Sequence, residues 1–371
     1  FARIIYPSSK LETFKQCHNF IESPNFKLHD EYRALSYIAQ NLDFIQEQLF
    51  ANSKNILERN SNVIYYDCTN YFFEIDTEDD LRKYGINKQH QPKPQVGMGL
   101  FMDGDGIPLS FNIYPGNQNE QKTLIPEEDK IVNDFKLDTT KIILCTDAGL
   151  SSDKIKKFNI KDNRGFVITQ SLKKLKEEYK AQALDKTEWR IPNDLKHIYN
   201  LEEIENEEAL REKYYDTLFY KIIPTETKSV KQDLIVTFSF KYLDYHRNIR
   251  NEQIARARKS IEENQVTRKG KNQNDYRRFI ASFSSTDNGE VAENITYSIN
   301  EDIINEEKQY DGFYALTTNI VGDISSILKI VKGRWEIEES FRIMKHDFLA
   351  RPVELSREDR IKAHFMTCFI S

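Results

Sequence analysis

Three side chains near the carboxyl-terminal end of the sequence have types and a spacing suited to work on a phosphate ester. Arg334, Glu338 and Lys345 lie in the stretch VKGRWEIEESFRIMKHDF, from Val331 to Phe348. At about 100° per residue they would stand at about 0°, 40° and 20° around a helix, so one narrow stripe carries a carboxylate and two cations. The simpler alternative is an exposed ion pair between Arg334 and Glu338, worth about 0.3 kcal/mol.

Two aspartates are placed on predicted strands, Asp67 within or at the end of the first core strand and Asp147 at the end of a second. Asp67 follows the apolar run VIYY, and Asp147 follows IILCT and precedes a turn into a helix. Carboxylates at adjacent strand ends can share one site with Glu338 on a packed helix. Without a cation they would repel by about 4 kcal/mol per pair, at about 4 Å and an effective dielectric of about 20. The pattern therefore predicts a site for hard cations such as Mg²⁺, and two such ions about 3.5 to 4 Å apart can assist displacement at phosphorus.

Other acidic candidates have simpler interpretations. Glu339 lies about 100° round the helix from Glu338, off the stripe, so Glu338 is the preferred metal ligand. Asp103 and Asp105 belong to the sequence DGDG. This sequence lacks the other ligands of a calcium loop, so it predicts a hairpin turn.

Charge is unevenly distributed along the chain. The net charge of −6 argues against a polyanion as partner, and residues 201–216 are acidic. The stretch from Arg247 to Arg278 is strongly basic instead, and a local patch rather than the total decides phosphate contact. Its cations could grip a nucleic-acid backbone or belong to a solvated helix, and both interpretations stay open. These cations are Arg256, Arg258, Lys259, Arg268, Lys269, Lys271, Arg277 and Arg278.

The order of periodic segments predicts an α/β domain around these residues. Residues 1–60 favour helices, including a long one capped by Asp30. From Ser61, aromatic and β-branched runs predict three strands, then helix, strand, helix and strand. The stretch 331–348 predicts one helix capped by Asp323, since it holds good helix formers and no proline.

Four regions follow from this order. We predict an N-terminal helical region at 1–60, the first part of the core at 61–171, a mixed, β-containing insertion at 172–310, and the final strand and helices of the core at 311–371. A chain of 371 residues is long enough for two or three domains. It begins at Phe1 and ends within an apolar run, so both ends are expected to be cut.

Composition and cysteine spacing argue against a membrane protein and against a secreted one. No apolar run approaches the length that spans a bilayer, so a membrane protein is not expected. The four cysteines, Cys17, Cys68, Cys145 and Cys368, are scattered without zinc spacing. They predict reduced thiols in a cytosolic protein.

Four ordered motifs resemble those of bacterial insertion-sequence transposases, which carry a DDE triad and a Y-R-E-K signature. The motifs are YYDCTN around Asp67, GNQNEQKTL from Gly116, CTDAGLSS around Asp147 and GRWEIEESFRIMK around Glu338. With their flanking pieces they cover roughly half of the chain. The family pattern has a tyrosine where this chain has Val331, so the chain departs from it at one expected DNA contact.

The resemblance implies an RNase H-like mixed sheet flanked by helices and interrupted by the insertion. It implies that Asp67, Asp147 and Glu338 hold two Mg²⁺ ions, which Mn²⁺ can replace, and that Arg334 and Lys345 contact DNA phosphates. The implied activity is cleavage at transposon ends and transfer of the freed 3′-OH to target DNA, with a hairpin intermediate and blunt release. The implied partners are double-stranded DNA and a second copy of the chain, in the cytoplasm at the nucleoid.

Two other functions stay open at this point. One is an RNase H-like metal nuclease without strand transfer, and the other is an inactive transposase fragment that binds DNA. Trp189 in the insertion could stack on an extruded base, as an aromatic residue does in related transposases. We favour an ordinary packing role for this tryptophan.

Overall fold

The chain forms two units in a computed structural model that describes residues 1–22, 25–86, 92–161, 163–227, 229–266, 274–284 and 295–371. The first unit comprises Phe1–Thr169, Glu226–Gln232 and Thr317–Ser371. The second comprises Gln170–Thr225 and Asp233–Leu316. The candidate residues Asp67, Asp147, Arg334, Glu338 and Lys345 all belong to the first unit.

The amino-terminal part of the first unit is helical. Asp30 does not cap the long helix, because Lys27 takes that place and its N–H donates to Asp30 Oδ2 at 3.0 Å. The long helix is also divided at Asn41, whose side-chain amide donates to Tyr37 O at 2.8 Å and so competes with the helical backbone bonds. The helices are α1 (Ala2–Ile5), α2 (Lys10–Cys17), α3 (Leu28–Gln40) and α4 (Leu42–Ser53).

The sheet of the first unit confirms the predicted order of three strands, helix, strand, helix and strand. Its strands lie in the order β3-β2-β1-β4-β5; β1, β2 and β3 are antiparallel neighbours, and β4 runs parallel to both β1 and β5. The elements are β1 (Val63–Phe72), β2 (Gln95–Asp103), β3 (Pro108–Pro115), α5 (Gln121–Asp134), β4 (Ile143–Thr146), α6 (Asp153–Lys161) and β5 (Gly165–Thr169).

The DGDG sequence forms the tight turn between β2 and β3, as predicted. Gly106 has φ +84°, a backbone conformation that glycine adopts without strain. Asp103 is fully buried, and its carboxylate accepts from Arg59 Nε at 2.5 Å and from Ile107 N at 2.9 Å. Asp103 is therefore a structural anchor of the turn.

The two faces of β1 differ in chemical character. Ile64, Tyr66 and Cys68 point into an apolar core with Phe50 of α4 and Leu124 of α5. Since side chains alternate along a strand, Tyr65, Asp67, Thr69 and Tyr71 share the opposite face. This second face carries the candidate site.

The second unit holds a mixture of helices and short strands. Trp189 is fully buried against Phe238 and Phe313, so its packing role is confirmed. The run LIVTFSFKYL is not one strand, because the strand ends at Phe238 and a helix begins at Phe240. The elements are α7 (Glu177–Leu184), β6 (Trp189–Ile191), β7 (Asp194–Tyr199), α8 (Leu201–Asn206), α9 (Glu208–Lys213), β8 (Phe219–Glu226), β9 (Lys231–Phe238), α10 (Phe240–Glu262), β10 (Ile280–Ser284), β11 (Ile295–Ile299), α11 (Glu301–Lys308) and β12 (Phe313–Thr318).

The last segment returns to the first unit. Asp323 caps its first helix by accepting from Ser326 N at 2.9 Å, as predicted. The predicted single helix at 331–348 is instead divided at Arg334 and ends in a π-helical turn, Ile343–Asp347. The helices are α12 (Ile324–Gly333), α13 (Trp335–Arg342) and α14 (Glu358–Ile370).

Helix α14 covers part of the sheet, as predicted. Its Phe365 ring lies 4.6 Å from the ring of Tyr71 in β1, and Phe369 lies 5.1 Å from Phe111 in β3. The first unit is thus a mixed sheet flanked by helices, an architecture consistent with the predicted RNase H-like fold. Among helices in the described ranges, none combines the length and the apolar content that crossing a bilayer requires.

Candidate active site

Asp67 lies in β1, and Asp147 directly follows β4, the parallel neighbour of β1. β1 pairs with β4 in parallel, with Val63 opposite Ile143 and Tyr65 opposite Cys145. Asp147 follows β4 directly and keeps an extended backbone, with φ −82° and ψ 175°. Continuing the register by two residues would put it opposite Asp67, and residues in register on neighbouring strands, about 4.8 Å apart, point to the same face. We therefore expect two of the three predicted carboxylates to be neighbours.

The turn after β4 fixes Asp147 locally. Its Oδ1 accepts from Gly149 N at 2.8 Å, which leaves Oδ2 without a role in the turn. Gln121, at the start of α5, donates from Nε2 to Gly149 O at 2.8 Å and holds the same turn from outside. Gln121 belongs to the GNQNEQKTL motif, but sequence reasoning gave it no role.

The segment from α12 to the π-helical turn lies over the Asp67 face of β1. Tyr65 donates its hydroxyl to Ile330 O at 2.9 Å. Lys345 bonds through Nζ to Thr69 Oγ1. Asp67 lies midway between Tyr65 and Thr69 on β1. The stretch that carries Arg334 and Glu338 therefore passes over the strand near Asp67.

Lys345 packs on β1 beyond its bond to Thr69. Its Nζ stands 5.0 Å from the centre of the Tyr71 ring, close enough for a cation–π interaction. The π-helical turn from Ile343 to Asp347 changes the angular position of Lys345 from the one that about 100° per residue predicts. Tyr65, Thr69 and Tyr71 could have been found from the two-residue period of the strand around Asp67, which puts all of them on its face.

Arg334 and Glu338 form the ion pair that the helical spacing allows. Arg334 Nη1 lies 3.4 Å from Glu338 Oε1, and the Glu338 side chain is 61% exposed. The Arg334 charge also reaches the sheet. Burial raises the pKa of the Cys145 thiol to about 12, and Arg334 acts against this rise. The Arg334 charge therefore acts on Cys145, which is two residues before Asp147.

Glu339 is engaged elsewhere on the helix. Arg342 donates to both of its carboxylate oxygens at 2.8 Å, and this bonding lowers the pKa of Glu339. Arg342 also pairs with Asp347 at 3.1 Å. Glu338 therefore has the more exposed and more weakly held carboxylate of the two.

The basic helix of the second unit is lined with ion pairs. The candidate DNA contacts Arg256, Arg258 and Lys259 lie on α10, and each is more than half exposed. Their nearest carboxylates are those of Glu252, Glu301 and Glu263, at 3.8, 4.0 and 3.7 Å in that order. A phosphate would compete with these weak pairs. The predicted cations Arg268, Lys269 and Lys271 lie outside the described residues.

The donor set suits a hard divalent cation in its chemistry, because Asp67, Asp147 and Glu338 offer carboxylate oxygens. In the part of the chain that the structure describes, no group of three or more His, Cys, Asp or Glu side chains is close enough to hold an ion. Asp67 and Asp147 belong to neighbouring parallel chain segments, whereas the Glu338 carboxylate is turned to Arg334. A metal site built on these residues therefore requires the Glu338 side chain to swing toward the aspartates.

In a comparison with protein families, residues 72–371 match the transposase DDE domain. The chain belongs to this family of transposases. The matched range includes Asp147, Arg334, Glu338 and Lys345, while Asp67 lies just before it. No curated protein matches the chain. The family makes this transposase a DNA-processing enzyme and confirms the predicted kinship with insertion-sequence elements.

Proposed function

We propose that this transposase nicks DNA at the ends of its element by hydrolysis and then joins the freed 3′-OH to target DNA. The observation that supports the proposal is the parallel pairing of β1 with β4, which, continued by two residues beyond Tyr65 and Cys145, would bring Asp67 next to Asp147. A two-metal phosphoryl transfer site needs such a convergence of carboxylates, and Glu338 would complete it by turning from Arg334 toward the aspartates.

The three carboxylates would hold two Mg²⁺ ions, for which Mn²⁺ can substitute. When bound, such ions supply charge stabilisation for the attacking and leaving oxygens of an in-line displacement. Arg334 and Lys345 would position phosphates of the cleaved strand, because Lys345 contacts the Asp67 face of β1 and Arg334 lies beside Glu338. Arg256, Arg258 and Lys259 would add sequence-independent contacts to the DNA backbone.

Double-stranded DNA is the proposed partner, as transposon ends and as target, and two copies of the chain would pair two ends on it. The enzyme would then act at the nucleoid in the cytoplasm. This arrangement makes end cleavage and strand transfer depend on the same three carboxylates.

The test is Asp147→Asn, which keeps an oxygen for Gly149 N but removes the charge. We expect strand cleavage of a DNA fragment carrying the element's own ends to fall by at least about 1,000-fold, with DNA affinity within about threefold of the wild type. Asp134→Ala, which removes an exposed carboxylate at the end of α5, is the matched control and should cleave normally. Cleavage retained by Asp147→Asn would remove the site assignment.

A second substrate separates the proposal from a nuclease without strand transfer. Precleaved ends with a free 3′-OH should be joined to target plasmid by the wild-type protein in Mg²⁺ or Mn²⁺. Cleavage without joining would identify a nuclease. DNA binding with neither cleavage nor joining would identify an inactive transposase fragment.

A further inference from the structure

The break between α12 and α13 has a specific cause in the first unit. In an unbroken helix the Arg334 N–H would donate to Ile330 O, four residues back. Here it donates to Val331 O at 3.2 Å, and Ile330 O accepts the Tyr65 hydroxyl at 2.9 Å instead. A side chain that takes a carbonyl from the helical ladder bends the helix at that point.

Gly333 makes room for this hydroxyl. A Cβ at position 333 would overlap with Tyr65 Oη, and the next nearest atom, Tyr65 Cζ, would lie 3.0 Å away. Glycine is also a poor helix former, costing about 1 kcal/mol relative to alanine in a helix interior. The pair of Tyr65 and Gly333 therefore selects a broken helix where the sequence otherwise favours a continuous one.

We propose that Tyr65 is a positioning residue, which holds the break before Arg334 and so sets the direction from which Arg334 and Glu338 approach Asp67 and Asp147. The inference rests on the proposed function. Tyr65 lies two residues before Asp67 on the same face of β1. The strand that carries the candidate ligand Asp67 therefore also carries Tyr65, the clamp on the helical segment of Glu338, a second candidate ligand. Lys345 bonded to Thr69 fixes the far end of the same helical segment.

The clamp predicts the effect of removing a single oxygen. In Tyr65→Phe, Ile330 O becomes available to the Arg334 N–H, and α12 and α13 can join into one helix. Displacement of a catalytic group by about 1 Å can cost about 100-fold in rate, so we expect cleavage to fall between about tenfold and 100-fold. DNA affinity should stay within about threefold, because the phosphate contacts remain.

The experiment compares Tyr65→Phe, Gly333→Ala, the double variant and a control. Tyr84→Phe is the control, since its hydroxyl also donates to a backbone carbonyl, Asp76 O at 2.6 Å, in the loop after β1. The first readout is amide hydrogen exchange of a peptide spanning residues 329–338, which needs no activity. The second is the Mn²⁺ affinity of the DNA-free protein, and the third is the cleavage rate.

We expect slower exchange across this peptide, weaker Mn²⁺ binding and slower cleavage in Tyr65→Phe, and none of these in Tyr84→Phe. Gly333→Ala should be milder in the Tyr65→Phe background than in the wild type, because the overlapping oxygen is gone. Unchanged exchange in Tyr65→Phe would refute the clamp, and changed exchange with normal Mn²⁺ affinity and cleavage would refute the positioning role. If the wild type cleaves no DNA, the proposed function fails, and exchange with Mn²⁺ binding still decides the role of Tyr65.

Discussion

The ion pair between Arg334 and Glu338 allows a quantitative prediction about the metal site. In the structure Arg334 Nη1 stands 3.4 Å from Glu338 Oε1, and Glu338 must leave this partner to join Asp67 and Asp147. Substitution Arg334→Gln removes the charge and keeps a polar side chain of similar reach. If Glu338 is a ligand, the variant should bind Mn²⁺ more tightly in the absence of DNA.

The size of the effect follows from the exposure of the pair. The side chain of Glu338 is 61% exposed and that of Arg334 is 23% exposed, so solvent screens most of their attraction. Such pairs at i,i+4 spacing contribute about 0.3 to 0.5 kcal/mol. At about 1.4 kcal/mol per tenfold, losing the pair should tighten Mn²⁺ binding by about twofold. The ion pair therefore holds Glu338 only weakly in its present position.

The assay is calorimetric titration of the DNA-free protein with Mn²⁺, at two salt concentrations. Arg342→Gln is the matched control, because it removes a cation from the same helix but frees Glu339 and Asp347 instead. We expect no comparable change there, and a weaker site in Glu338→Gln. Tightening by more than about tenfold in Arg334→Gln, or wild-type affinity in Glu338→Gln, would refute the reasoning.

Two further predictions concern stability. Burial lowers the pKa of His364 to about 3, so the free energy of unfolding should decrease as the pH falls below 6.5, by about 2 kcal/mol at about pH 5. His364→Gln, which keeps a donor for Ala350 O, should flatten this pH dependence in urea unfolding. An equal slope in the variant and the wild type would contradict the prediction. Asp103→Ala leaves the buried Arg59 without its carboxylate and should lower the free energy of unfolding by about 3 to 5 kcal/mol. Asp105 is exposed, and Asp105→Ala should lower it by only about 1 kcal/mol. Equal losses in the two variants would contradict the anchor role of Asp103.

Local signals in the sequence were sufficient for the elements of the first sheet and for the places of the two aspartates along the chain. The apolar runs before Asp67 and Asp147 predict strands, and their positions on neighbouring parallel strands follow from the order of elements. The Asp323 cap and the DGDG turn also depend on residues within a few positions. Such short-range patterns can be read without knowledge of the fold.

The break at Arg334 could not be predicted in this way. It depends on a bond from Tyr65 to Ile330 O, and these two residues are 265 positions apart in the sequence. Helix propensity favours a continuous segment from Ile324 onward, apart from the glycine at 333. Tertiary contact overrides this local preference, and only the packed sheet shows which carbonyl the tyrosine reaches.

The opposite characters of the two faces of β1 explain how one strand can fix the site so firmly. A slip of one residue in the register would exchange the faces of the strand. It would push the carboxylate of Asp67 into the apolar core beside Phe50 and bring Tyr66 and Cys68 to the site. An unpaired carboxylate in such a core costs several kcal/mol, so this register is disfavoured. The same alternation that buries Tyr66 therefore places Tyr65, Asp67 and Thr69 on one face. Tyr65 is the clamp, Asp67 is the candidate ligand, and Thr69 is the residue to which Lys345 bonds.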